Sequence, residues 1–155
     1  MLMISEVFAA DADRVAAIGS TLADELVGGD SCHLSGPLGA GKTTLVRGLL
    51  RTLGHEGPVP SPTFTLVQIY ENGGAPVWHF DLYRLEDSKE IYELGIEEAF
   101  DNAICLIEWP EKMAGNEPPD WLEMRLTVGE SETSRRAAFT SHGARAAHLV
   151  RRLWA

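Results

Sequence analysis

Apolar positions along the chain alternate between helical spacing and short strand-like runs. Val15, Ile18, Leu22 and Leu26 fall on one face at steps of three and four, which predicts a helix capped by Asp11 and closed by Gly28-Gly29. Leu45, Leu49 and Leu53 repeat the pattern and predict a second helix ending at Gly54 as its C′ glycine. Ser88 starts a helical stretch through Leu94 that breaks at Gly95, and Ala144 to Leu153 reads as a final helix. Between them lie strand candidates at Leu2 to Phe8, Ser31 to Ser35, Ala103 to Glu108, Trp121 to Val128 and Ala137 to Thr140. Phe64 to Tyr70 and Val77 to Asp81 form a further pair, joined by a hairpin signal at Asn72-Gly73-Gly74. Strands alternating with helices predict an α/β fold, one domain over residues 1–155. Its sheet is expected to be mainly parallel, with helices on both faces and an antiparallel hairpin element.

In such sheets ligands bind at the carboxyl ends of the strands. The richest chemistry in the sequence sits at one of those ends. Gly36 to Thr44 reads Gly-Pro-Leu-Gly-Ala-Gly-Lys-Thr-Thr, a complete G-x-x-x-x-G-K-[ST] phosphate loop between a strand and a helix. Gly36, Gly39 and Gly41 let the backbone wrap a phosphate closely. Amides of Leu38, Gly39, Ala40, Gly41, Lys42, Thr43 and Thr44 are placed to donate to it. Lys42 supplies positive charge to the β- and γ-phosphates, and the Thr43 hydroxyl is placed to ligate Mg²⁺. The helix dipole adds to the attraction. The sequence therefore predicts binding of a nucleoside triphosphate.

Two acids end apolar strands, Glu108 after Ala103-Ile104-Cys105-Leu106-Ile107 and Asp81 after Val77-Trp78-His79-Phe80. Glu108 has the position of a Walker B acid that holds Mg²⁺ directly or through water. Asp81 shares a strand face with His79 at period two. The plain alternative for either is a carboxylate capping the next turn. Ser61-Pro62-Thr63, approached through Pro58 and Pro60, stands where many P-loop proteins carry a hydroxyl that senses the γ-phosphate, here Thr63 or Ser61, with a plain proline-rich connection into the next strand as the alternative. Trp109 follows Glu108 and is either a core or a site aromatic. Arg84 is the one cis candidate for an arginine finger, with a surface pair to Glu86 or Asp87 as its alternative.

Composition narrows the partners. A formal charge of −10 repels nucleic acid over most of the surface. A local patch of Arg135, Arg136, Arg145, Arg151 and Arg152 remains near the C-terminal end, but a solvated helix explains such residues as well. Cys32 and Cys105 lie in expected core strands without metal spacing and are expected to be reduced thiols. No apolar run spans a bilayer and no secretory leader pattern starts the chain, so a cytoplasmic location is expected.

Five motifs in order, Gly-Pro-Leu-Gly-Ala-Gly-Lys-Thr-Thr (36–44), Ser-Pro-Thr-Phe (61–64), His-Phe-Asp-Leu-Tyr-Arg-Leu (79–85), Glu-Leu-Gly (93–95) and Ile-Glu-Trp-Pro (107–110), closely resemble the TsaE, or YjeE, family. The resemblance covers nearly the whole chain. It implies a slow bacterial ATPase required for threonylcarbamoyladenosine at position 37 of tRNAs reading codons that begin with A. By the same resemblance, TsaB and TsaD are partners and tRNA is met only through them. ATP and Mg²⁺ are the implied cofactors. Lys42, Thr43 and Glu108 would hold triphosphate and metal, Ser61-Pro62-Thr63 would be the switch segment, and Asp81 the acid of His-x-Asp-x-Tyr-Arg. Asp11 to Asp13 and Arg135 would approach adenine and ribose. In the expected hydrolysis Lys42 and Glu108 act on the phosphates and metal, while Asp81 or the Thr63 hydroxyl orients water.

A small-molecule or nucleotide kinase is the alternative reading of the loop. Such enzymes need an arginine-rich lid, and no compact insertion of that kind stands between residues 88 and 125. The sequence has no Asn-Lys-x-Asp guanine motif and no Leu-Ser-Gly-Gly-Gln signature. A non-catalytic module that ATP merely switches is the reading from a different class.

Overall fold

The carboxylate of Asp11 accepts the Arg14 amide at 2.9 Å and starts the first helix, as the sequence predicts. In the computed structural model, which describes residues 2–5 and 9–153, the chain runs β1 (Leu2–Ser5), β2 (Ala9–Ala10), α1 (Ala12–Glu25), β3 (Ser31–Ser35), α2 (Lys42–Thr52), β4 (Val67–Tyr70) and β5 (Val77–Asp81). It continues through α3 (Glu90–Glu93), α4 (Ile96–Asn102), β6 (Ile104–Glu108), a 3-10 turn (Pro110–Met113), β7 (Trp121–Val128), β8 (Arg135–His142) and α5 (Ala144–Leu153).

The described strands form one eight-stranded sheet in the order β1-β8-β7-β3-β6-β5-β4, with β2 also on β8. The centre, β7-β3-β6-β5, is parallel. At one edge β4 turns back on β5 as the predicted hairpin. At the other, β8 pairs antiparallel with β7, β1 and β2, a second antiparallel wing that the sequence does not announce.

The period-two alternation of β6 divides the core. Ile104 and Leu106 point to the face covered by α1, α2 and α5, among Val15, Leu22, Leu45, Leu49 and Leu149. Cys105 and Ile107 point to the other face, among Phe80, Ile91, Ile96 and Met113. Because both faces are covered there, β6 reads as an unbroken apolar run. Cys32 and Cys105 are buried free thiols on opposite faces. Burial pushes Cys105 up to about 12 and Cys32 further still, so neither presents a thiolate. Among the described residues no helix is long and apolar enough to cross a membrane.

Four elements depart from the sequence expectation. β4 begins at Val67 rather than Phe64, because Leu66 takes a left-handed backbone (φ 68°) while its amide bonds Pro62 carbonyl at 2.7 Å. Phe64 is thereby left 80% exposed. The helix expected from Ser88 to Leu94 shrinks to α3, and Gly95 (φ 82°) starts α4, which the sequence reading passed over. β8 runs over Arg135–His142, longer than Ala137 to Thr140, since its second face is half exposed and carries polar side chains. Of the expected first strand, Leu2–Ser5 forms β1 and residues 6–8 lie outside the described residues.

Candidate functional site

β3 delivers the phosphate loop at its carboxyl end, and α2 follows it at once. Gly36 (φ 136°) lies so close to β7 that a Cβ would meet the Leu126 carbonyl oxygen at 2.0 Å. That glycine is demanded by sheet packing as well as by any ligand. Gly39 (φ 80°) has open space where a Cβ would stand, as expected where a ligand approaches the backbone. Ala40 is fully buried in the core and anchors the loop from inside, while Leu38 is 73% exposed at its tip. Helix α2 starts at Gly41 with no side-chain cap, so its first amides are open to an anion.

Register places the two acids side by side. Asp81 of β5 is opposite Glu108 of β6, and Glu108 is opposite Leu34 of β3, two residues before Gly36. Both acids are only 3% exposed. They meet Lys42, Thr43, Thr44, Ser61, Thr63 and Trp109 around a cavity of about 290 Å³. A second cavity, about 400 Å³, lies on the other side of Gly39 and Gly41 and is bounded by Asp11, Asp13, Thr44 and Arg135. The structure thus gathers Asp11, Leu38, Gly39, Gly41, Lys42, Thr43, Thr44, Thr63, Asp81, Glu108 and Arg135 in two adjoining chambers divided by the loop, while Gly36 and Ala40 pack beneath it and Arg84 lines neither.

The partners of each acid differ. Asp81 Oδ2 accepts hydrogen bonds from Ser61 Oγ at 2.8 Å and Thr63 Oγ1 at 3.2 Å, and Oδ1 accepts the Tyr83 amide at 3.0 Å. Glu108 Oε2 instead meets His79 Nε2 at 2.6 Å, inside the sheet. Lys42 Nζ donates to the Gly36 carbonyl at 2.7 Å and lies 3.9 Å from the centre of the Trp109 ring. Burial depresses the Lys42 ammonium below its usual value, while Glu108, Asp81 and Glu111 pull it back up. Trp109 itself adopts a left-handed backbone (φ 60°, ψ 52°) and packs on Tyr83. Strain of this kind in a bulky residue is common at functional sites. Arg135 lends its guanidinium to the Gly39 carbonyl at 3.1 Å, which ties β8 to the phosphate loop. Arg84 stacks over Phe64, 4.2 Å from the ring centre.

Thr43, Ser61, Thr63, Asp81 and Glu108 offer hard oxygen donors only. That set suits Mg²⁺, which prefers one or two carboxylates completed by phosphate and water. The residues present therefore fit the ion. Three features were missed in the sequence: the His79–Glu108 contact, the hold of Asp81 on two hydroxyls, and Glu132 with Thr133 lining the larger cavity. Strand period put His79 and Asp81 on one face, but only the β5–β6 register shows that Glu108 joins them. Glu132 and Thr133 lie in a turn with no local signal.

Comparison with known proteins follows the same lines. The family model "Threonylcarbamoyl adenosine biosynthesis protein TsaE" matches residues 9–137. A "tRNA threonylcarbamoyladenosine biosynthesis protein TsaE" of Nostoc is 39% identical over 153 residues, 95% of this chain and 92% of its own length. One from Haemophilus influenzae is 55% identical over 84 residues, which span 54% of this chain and 53% of that relative, about half its length. The crystal structure of Bacillus subtilis YdiB superimposes with a TM-score of 0.84 at 29% identity, covering 99% of this chain and 96% of that one.

Proposed function

The chain belongs to the TsaE family, and from that premise we propose that it is a slow Mg²⁺-dependent ATPase. It serves threonylcarbamoyladenosine formation on tRNA, the role its relatives are named for. The observation that carries this reading is the convergence of Lys42, Thr43, Asp81 and Glu108 on one cavity at the carboxyl ends of parallel strands.

The residues divide the work. Amides of residues 38–44 and the Lys42 ammonium neutralise charge on the β- and γ-phosphates of ATP. Lys42 leaves the Gly36 carbonyl and the Trp109 face to do so, exchanging those contacts for phosphate oxygens. Thr43 and Glu108 would hold Mg²⁺, which would supply neutralising charge to the phosphates. The larger chamber, with Asp11, Asp13 and Arg135, takes the nucleoside. Asp81 orients the attacking water, directly or through the hydroxyls of Ser61 and Thr63. Those hydroxyls give the γ-phosphate something to pull on, and the 61–66 segment is the switch that reports its presence. Catalysis by positioning and charge, with Arg84 held on Phe64, accounts for a low rate.

Partner proteins TsaB and TsaD are proposed as the receivers of that switch, with tRNA met through them. This agrees with a chain of charge −10. A cytoplasmic location goes with that role. The test is phosphate release from ATP by the purified protein, alone and with TsaB, TsaD and tRNA, alongside tRNA modification. A low rate that rises with the partners, and modification lost in Lys42→Ala, supports the proposal. A rate indifferent to them but raised by a phosphate-accepting metabolite would make it a kinase.

A further inference from the structure

His79 is fully buried, and its Nε2 lies 2.6 Å from Glu108 Oε2 while Nδ1 has no hydrogen-bond partner. With the proton on Nε2 the ring donates to the Glu108 carboxylate, and the unpartnered Nδ1 is then a bare acceptor with no buried N–H left unpaired. The contact lies away from solvent: His79 stands on the neighbouring strand opposite Leu106, two residues before the Asp81–Glu108 pair. It occupies one carboxylate oxygen and leaves Oε1 for the cavity that Glu108 lines. Nothing in the phosphate loop or the switch segment does this for Glu108.

We infer that His79 is a positioning residue that fixes Glu108 through an Nε2–H hydrogen bond, so that the free oxygen of the acid faces the metal and phosphates. The inference rests on the reading of Glu108 as the metal acid. A carboxylate held by one oxygen meets its ligand already oriented, and loss of such support typically lowers metal affinity by about 10- to 100-fold.

Two polar variants separate position from mere burial. The amide nitrogen of Gln reaches where Nε2 stands, whereas that of Asn stops where Nδ1 stands, one side of the ring short of Glu108. ATP affinity is measured by calorimetry with and without Mg²⁺ for wild type, Glu108→Ala, H79Q and H79N. The expected result is that H79N loses about tenfold of the Mg²⁺-dependent enhancement while H79Q stays within about threefold of wild type. Affinity without Mg²⁺ should be unchanged in both. Equal behaviour of H79N and H79Q, whether both retain the enhancement or both lose it, overturns the inference. If wild type shows no enhancement, or Glu108→Ala keeps it, the reading of the whole site falls and this inference with it. Melting temperatures of the two variants, measured together, identify any difference that comes from unfolding.

Discussion

Asp81 and Glu108 end neighbouring strands, face one cavity and are equally buried, yet they are held by different parts of the molecule. Glu108 is bound to a histidine within the sheet, between strands that are packed on both faces. Asp81 is bound to Ser61 and Thr63, in a loop that carries an exposed phenylalanine and a left-handed leucine. One acid is therefore held from within the core and the other by hydroxyls of a partly exposed loop, the kind of segment that opens most readily in proteins. Under the proposed function, the first kind of support would suit the metal acid and the second a segment that reports the state of a phosphate.

The largest expected effect removes what the two acids have in common. Lys42→Ala should lower hydrolysis by at least about a hundredfold, the scale of losing one charged contact to a transition state. Phosphate release at saturating ATP measures it, and near-normal turnover would remove the cavity from the account.

Next comes the contrast itself. Glu108→Ala should destabilise the protein by about 1–3 kcal/mol, because it leaves a buried histidine without its partner. Asp81→Asn keeps an acceptor for the hydroxyls and should cost less, yet quicken amide exchange in residues 61–66. Denaturant melts and exchange mass spectrometry on both variants would break the comparison if the two behaved alike.

Ser61→Ala and Thr63→Ala sharpen it further. Each hydroxyl donates to a carboxylate and should be worth about 1–2 kcal/mol. In a double-mutant cycle each should couple to Asp81→Ala, which removes the acceptor, and neither to Glu108→Ala.

The last prediction lies outside the site and leaves ATP binding alone. Burial, with His142 beyond it, pushes His33 down to about 3, so the ring stays neutral in the folded protein and charges in the unfolded chain below about 6.5. The unfolded state then binds more protons, and stability should fall as pH drops from about 6.5 towards 3, by about 1 kcal/mol per unit. His33→Gln should flatten that slope without touching ATP binding, as a melt series from pH 7 to pH 4 would show.

How much of this was legible follows from where each signal lives. The phosphate loop is a contiguous motif, and its strand and helix are set by local pattern, so β3 and α2 were readable. Asp81 and Glu108 were found because apolar runs end at them. Their pairing was not, since register between β5 and β6 is fixed by packing that no single segment records. The same holds for β8, whose half-exposed face hides its length, and for α4, whose start depends on the backbone of Gly95. Phe64 to Leu66 misled for a different reason. Its residues suit a strand, but Leu66 reverses the chain and leaves Phe64 in solvent.

Amide exchange across the two regions, with and without Mg²⁺ and a non-hydrolysable ATP, tests the division between them most directly. Residues 104–108 should exchange slowly in both states, while residues 61–66 should change their protection when the nucleotide is bound. Bound nucleotide with no change at 61–66 would contradict it, and the loop would then be a fixed wall of the site.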